Sequence, residues 1–290
     1  LNDIFMFMCF SKTPALSASG DCRPFSDQAD GTMLGEGLGM VALKRLDDAE
    51  RDGDRIYAVL TGVGSSSDGR SKSVYAPVPE GQAKALQRAY DIAGYGPETV
   101  EMVEAHGTGT KAGDAAEFGG LSIVFDPALR DQKQWCALGS VKSQIGHTKA
   151  AAGAAGLFKA VMALHHKVLP PTIKVDKPNP SIDLDNSAFH INTQARPWIR
   201  PSDHPRRASV SSFGFGGSNF HIALQEYVGE GSKAARMRSL PVELITLSAA
   251  DGGAIASSAR ALAERAGSKG MLQRISWESA QNFDPTAHAR

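Results

Sequence analysis

The sequence predicts a layered α/β fold, and three observations carry that prediction. Short apolar runs of strand length alternate with longer segments of helical period, the order expected when helices cover a mostly parallel sheet. One helical segment, "TKAAAGAAGLFKAVMALHH" (148–166), is so rich in small residues that it must lie close against its neighbours. Near its end the chain reads "RRASVSSFGFGGSNFHIALQEY" (206–227), a strand, a glycine hairpin and a second strand.

The elements follow in order. "GEGLGMVALKRL" (35–46) reads as a glycine-rich turn feeding a buried strand, and "LDDAERDGDR" as a charged surface connection. "IYAVLTGVGSSSDG" (56–69) is a strand that dissolves into a polar loop. Pro79 and Glu80 open a helix that runs to about Gly94, with Ala83, Leu86, Ala89, Tyr90 and Ala93 on one face. "VEMVEA" is a short strand ending at His106, "GDAAEFGGLSIVF" a helix, and "CALGSVKSQIGH" a strand and loop. Ala188–Asn192 is a further strand. Gly229–Lys233 is a polar linker, after which "LPVELITLSA" and "GAIASSARALAERAG" begin a new strand–helix unit, so a boundary is expected near Tyr227.

Composition narrows the function. Across 290 residues, Lys+Arg and Asp+Glu are both 31, so no basic excess exists for non-specific nucleic-acid binding. No apolar run reaches membrane-span length. "IFMFMCF" lacks the length, basic flank and cleavage site of a signal peptide. The three cysteines, Cys9, Cys22 and Cys136, form no CxxC pair and point to a reducing, cytoplasmic setting. The eight histidines include no HExxH or HxxxH, so no metal site is expected, and "GEGLG" lacks a phosphate-loop lysine. The chain starts at Leu1 in mid-pattern and reads as a piece of something longer.

Three stretches bear chemistry. "AHGTGTKAGD" (105–114) places one imidazole, three glycines and two threonine hydroxyls directly after a strand. In "GSVKSQIGH", Lys142 and His147 are five apart. His147 stands where a loop becomes a helix, so the helix dipole should lower its pKa and keep the ring a neutral donor; it also reads as an ordinary cap or surface histidine. Lys142 reads either as a surface charge or as a buried one paired with Glu117 or Glu104. In "SSFGFGGSNFH" (211–221), "GFGG" is either a plain hairpin or a gate in which Phe213 and Phe215 flank a pocket.

Taken together, "HGTGT…GD…E", "GSVKS.IGHT.AAAG" and "SSFGFGGSNFH", with "CRPFSDQADGTMLGEG" and "LPPTI…PNPSIDL", resemble the C-terminal half of a β-ketoacyl synthase. Finer stretches such as "CFSKTPALS" and "YAPVPEGQAKALQRAY" look most like the ketosynthase of polyunsaturated-fatty-acid synthases, large iterative enzymes of the type I polyketide-synthase kind. Enediyne-type iterative synthases are the nearest rival. The resemblance implies a thiolase-like αβαβα fold, mainly its C-terminal half. Residues 1–53 would end the N-terminal half of the ketosynthase and 54–227 form the C-terminal half. Residues 228–290 would form a small α/β linker toward an acyltransferase domain.

The resemblance also implies a chemistry. His106 and His147 would stabilise the enolate left when a malonyl thioester loses carbon dioxide, with Lys142 holding the electrostatics. Thr108 and Thr110 would bind the amides of a phosphopantetheine arm, which the loop's glycines let pass. Phe215 would act as gate and its N–H as half of an oxyanion hole, with Phe213, Gly216 and Gly217 lining the substrate path and Glu117 and Asn219 in support. No cofactor would be bound, since substrates arrive on the phosphopantetheine of an acyl carrier protein. The implied partners are carrier-protein domains, an adjacent acyltransferase, an N-terminal ketosynthase half bearing the nucleophilic cysteine, and a second copy in a homodimer. None of the three cysteines fills the nucleophile's place, so the chain alone is expected to be inactive and to expose apolar surface. A non-catalytic partner of the chain-length-factor type is the alternative.

Overall fold

The computed structural model describes residues 2–70, 76–129, 132–199, 203–229, 242–267 and 271–289. The chain divides into two compact units, Leu1–Ser232 and Lys233–Arg290.

In the first unit, helix α1 (Ile4–Lys12) and the short α2 (Leu46–Arg51) precede strand β1 (Val59–Ser67) and helix α3 (Pro79–Ala93). Pro79 opens α3 and Gly94 closes it in the left-handed region, as the sequence predicts. Strand β2 (Met102–Glu104), helix α4 (Lys111–Phe125) and strand β3 (Cys136–Gly139) form a parallel crossover. A single helical turn, α5 (Lys142–Ile145), replaces the plain loop expected after β3. Helix α6 (Ala152–His166) follows, then β4 (Val168–Leu169), β5 (Phe189–Ile191), β6 (Arg196–Pro197), β7 (Arg207–Gly214) and β8 (Ser218–Gln225).

Six strands make one sheet in the order β1-β8-β7-β2-β3-β5. The β1–β8 and β8–β7 pairs are antiparallel, and the β7–β2, β2–β3 and β3–β5 pairs are parallel. Side chains alternate across the strands, so each face of the sheet has its own core. Leu86 and Tyr90 of α3 and Phe118, Leu121 and Phe125 of α4 pack with Val103, Leu138 and Phe189. Ala160, Ala163 and Leu164 of α6 pack on the opposite face with Met102, Ala208, Val210 and Leu224. The small residues of α6 thus allow the close packing expected of them. His221 lies in the core, hydrogen-bonded to Ser211 and Tyr90, and takes no part in the cavity described below.

Two expectations fail. Residues 35–45 form no strand. Gly35 and Gly39 let the segment ride on Ile145 and Ala154, while the apolar side chains of Leu38 and Met40 on the same segment are 89% and 90% exposed. An apolar run becomes a buried strand only with a neighbour to pair with, and among the described residues this one gains just the bridge between Leu34 and His147. In the second unit, helices α7 (Gly252–Ala266) and α8 (Met271–Gln281) form, but 242–248 remain irregular, and Ala249 makes a single bridge to Ala289. Residues 230–241, with most of the expected linker, lie outside the described set.

Two glycines of the first unit give a stability test. A Cβ at Gly64 would sit 1.9 Å from the carbonyl oxygen of Ala85, because β1 touches the α3 backbone directly. At Gly119, in α4, the nearest neighbour would be Pro79 at an ordinary 3.6 Å. Gly64→Ala is expected to cost about 1–3 kcal/mol of overpacking. Gly119→Ala should gain about 0.4–1 kcal/mol by reducing the freedom of the unfolded chain. Denaturant unfolding of the two variants beside the parent chain checks the opposite signs.

Candidate active site

The loops at the C-terminal ends of β2 and β3 and the β7–β8 hairpin converge on one cavity of about 970 Å³. In sheets with parallel strands, such strand ends are where ligands usually bind. His106, Thr108, Thr110, Glu117, His147, Phe213, Phe215, Gly217 and Asn219 all line it, so the structure gathers residues from all three stretches. Lys142 does not line the cavity; it is buried behind it. Gly216 stands at the hairpin tip with φ +92° and outside the cavity lining.

The loop after β2 is shaped by two carboxylates. Glu117 accepts the backbone N–H groups of His106 and Gly107, both at 2.7 Å. Asp114, three residues earlier on the same face of α4, accepts those of Gly109 at 3.1 Å and Phe25 at 2.7 Å. Thr110 caps α4 by accepting from Gly113, and its hydroxyl meets that of Thr108 at 2.9 Å. The two hydroxyls share one hydrogen, which leaves the other O–H to donate elsewhere. The structure gives Gly107 and Gly109 a reason other than the passage of a ligand. Both have positive φ, and a Cβ on either would strike the protein itself: Ser140 at Gly107, and Gly31 and Arg23 at Gly109.

The loop after β3 carries the other two groups. Lys142 donates from Nζ to the carbonyl oxygen of His106, so the lysine braces the histidine's backbone from behind. Burial pulls its pKa down, while Glu104, Glu117, Cys22 and Asp114 push it back up. His147 is bound to the 33–35 segment through its own backbone, and its Nδ1 accepts the N–H of Lys149 at 3.0 Å. Because that amide can only donate, the proton of the neutral ring sits on Nε2. The pKa of His147 falls to about 3, with burial as the largest cause, then the charges of Lys142 and Lys149. The lowering agrees with the sequence reading, but its principal origin is desolvation rather than a helix dipole. His106 is pushed well below the usual imidazole value by burial, Lys142 and His147. The two rings meet edge to face, 5.2 Å apart.

The hairpin closes the remaining side. The Phe213 ring lies 6.0 Å from that of His106 and packs against the core. Phe215 is 63% exposed and faces Phe10 at 6.2 Å. Asn219 is buried and donates to Asp68 at 2.6 Å. Asp114, Asp68, Phe10 and Cys22 had no site role in the sequence reading. Cys22 packs beneath the loop, its thiol 3.3 Å from the carbonyl oxygen of Thr108. Only Asp114 left a usable signal, its spacing of three from Glu117 on one helical face.

Sequence models of three consecutive parts of one family cover nearly the whole chain. The N-terminal domain of β-ketoacyl synthase matches residues 3–49, its C-terminal domain 57–176, and the ketoacyl-synthetase C-terminal extension 178–287. The chain belongs to the β-ketoacyl synthase family. The chain is 47% identical over 250 residues to a polyunsaturated fatty acid synthase component of Thraustochytrium, covering 85% of the chain and 9% of that protein. It is 44% identical over 226 residues to polyketide synthase PksL of Bacillus subtilis, covering 78% of the chain and 5% of that protein. Among solved structures it is similar to the ketosynthase from module 6 of the bacillaene synthase of B. subtilis 168. There the TM-score is 0.75 at 37% identity, covering 96% of this chain and 48% of that one. The chain therefore spans about half the length of that ketosynthase and a small part of the curated relatives. No helix among the described residues is long and apolar enough to cross a membrane.

The buried carboxylates predict a pH dependence. Burial pushes the pKa of Asp114 up to about 7 and that of Glu117 upward as well. Between about pH 4 and 7 an unfolded Asp114 is ionised while the folded one keeps its proton, so folding stability is lost as pH rises across that window. The slope reaches at most about 1.4 kcal/mol per pH unit for one proton. Chemical denaturation at pH 5 and pH 7.5 should show Asp114→Asn with a smaller pH difference than the parent.

Proposed function

We propose that this ketosynthase chain supplies the enolate-stabilising part of a β-ketoacyl-[acyl-carrier-protein] synthase. That enzyme would catalyse decarboxylative Claisen condensation in polyunsaturated fatty acid or polyketide synthesis. The observation that carries the reading is the pair of neutral imidazoles meeting in one cavity, with the proton of His147 fixed on Nε2. His106 fits the same role. Its Nδ1 is buried without a hydrogen-bond partner, and an unpartnered acceptor is easier to bury than an unpartnered N–H, so its proton also belongs on Nε2.

Two such N–H groups form a preorganised site for one oxygen that gains negative charge. A malonyl thioester would place its carbonyl oxygen there. The bond to the carboxylate breaks, carbon dioxide leaves, and the electron pair moves into the enolate, whose oxygen both imidazoles stabilise without being titrated. The enolate carbon then attacks an acyl thioester and expels its thiolate. The nucleophilic cysteine would come from outside this chain. No cysteine lines the cavity among the described residues, and the thiols of Cys22 and Cys136 are pushed up by burial. The free O–H of the Thr108–Thr110 pair would donate to a phosphopantetheine amide. No cofactor is needed beyond that carrier-borne arm. The partners would be carrier-protein domains, an acyltransferase beyond residues 228–290, and a second copy of the whole domain. Retention of His106, Lys142 and His147 in one arrangement argues against a non-catalytic chain-length-factor role.

In the complete synthase, His106→Ala and His147→Ala should each lower malonyl decarboxylation by at least about 100-fold, the scale of one lost oxyanion donor. Trapping of radiolabelled acyl-enzyme should persist in both. Loss of acylation with decarboxylation retained would overturn the assignment. The two phenylalanines should separate differently. Phe213→Ala should cost about 2 kcal/mol of stability, roughly half the penalty of a fully buried ring. Phe215→Ala should leave the melting temperature within a degree or two and slow condensation; the reverse pattern would mean the gate and the wedge are exchanged.

A further inference from the structure

Behind the cavity, Glu104 occupies a position that the chemistry above does not use. It is the last residue of β2, two before His106, and its side chain is almost fully buried. Its Oε1 accepts the backbone N–H of Val141, the residue before Lys142, at 2.6 Å. Its Oε2 forms an ion pair at 2.6 Å with Lys159 of α6, the helix that the chain enters just after His147. One carboxylate therefore ties together the three segments that carry His106, Lys142 and His147.

The surroundings are cleared for it. Gly156 of α6 has no side chain where the Cγ of Glu104 comes close; a Cβ there would sit 3.1 Å from it. Gly139 of β3 leaves room for Thr172, whose hydroxyl would be struck by a Cβ there, while the ammonium of Lys159 lies at an ordinary contact distance of 3.6 Å from the same point. Gly156 thus makes the space the buried Glu104 side chain needs. Taking two charges out of water is costly, and a well-packed apolar pair of similar size would often be as stable, so the pair is poorly explained by stability alone.

We propose that the buried Glu104–Lys159 pair is a positioning element of this site, holding the His106 and Lys142 loops in register so that the ammonium of Lys142 stays against the carbonyl of His106. The catalytic consequence rests on the ketosynthase reading; the hold on Lys142 does not. Lys142 is faced by Glu104 from β2, Glu117 and Asp114 from α4, Cys22 from the segment beneath the loop, and the rings of His106 and His147. Of the opposing charges, Glu104 does most to offset the burial of Lys142.

The test removes the charge and keeps the shape. In Glu104→Gln the side chain can still accept from Val141, but the negative charge is gone. Glu104→Gln combined with Lys159→Met removes both charges. With 13Cε-labelled lysine in the full 290-residue chain, and Lys142 assigned by its loss in Lys142→Arg, NMR titration reads the ammonium directly. Glu104→Gln should shift its titration down by about one pH unit or more, the scale of one lost opposite charge, and the double variant should recover part of that shift. In the complete synthase the alkaline limb of decarboxylation should move the same way, with kcat falling and KM for the malonyl carrier held. An unchanged Lys142 titration in Glu104→Gln, with only a lower melting temperature, would overturn the proposal. A parent enzyme that never decarboxylates, with the Lys142 shift still present, would instead fault the ketosynthase reading and leave the hold on Lys142 standing.

Discussion

The loop from His106 to Gly109 is held from behind by two carboxylates buried away from water, and the rest of the site depends on that hold. Asp114 and Glu117 lie one helical turn apart on α4 and between them accept three backbone N–H groups of the loop. Each such hydrogen bond contributes about 0.5–1.5 kcal/mol net, and leaving these buried N–H groups unmade would cost more, so together they fix a glycine-rich segment that would otherwise be costly to order. Asp114 also accepts the amide of Phe25, a buried aromatic residue held at φ +61°. Without that bond, a bulky side chain in the left-handed region would be hard to keep. The same carboxylate thus fixes the loop and the segment beneath it.

The two imidazoles that face the cavity are neutral, while Lys142, Asp114, Glu104 and Lys159 are buried in the protein behind it. Lys142 reaches the cavity only through the carbonyl of His106. Neutral N–H groups held by packing need little rearrangement when an oxygen gains charge, which is the physical basis of a preorganised oxyanion site.

Much of the scaffold could be read from the sequence because its signals are local. Pro79 and Gly94 bracket α3, and the alternation through β7 and β8 around "GFGG" defines a hairpin wherever it occurs. The cavity residues were legible as a set because chemistry concentrates imidazole, hydroxyl and glycine in short runs. What could not be read depends on partners distant in sequence. Residues 35–45 have the composition of a buried strand, but burial needs a neighbouring strand that composition does not supply. Residues 242–248 behave in the same way. Glu104 was legible only as a candidate partner of Lys142, and its ion pair with the distant Lys159 becomes visible only when the fold brings them together. Gly107 and Gly109 were legible as special, but their reason, contact with Ser140, Gly31 and Arg23, became visible only in three dimensions.

The central claim is that His106 and His147 stand neutral in the cavity as N–H donors. Nitrogen-15 NMR of histidine-labelled protein, with the two rings assigned by their loss in His106→Gln and His147→Gln, measures protonation and tautomer directly. The account predicts that both rings stay neutral from pH 8 down to pH 5 and that the proton of His147 is on Nε2. A ring titrating near the ordinary imidazole value of about 6.5, or His147 protonated on Nδ1, would contradict it.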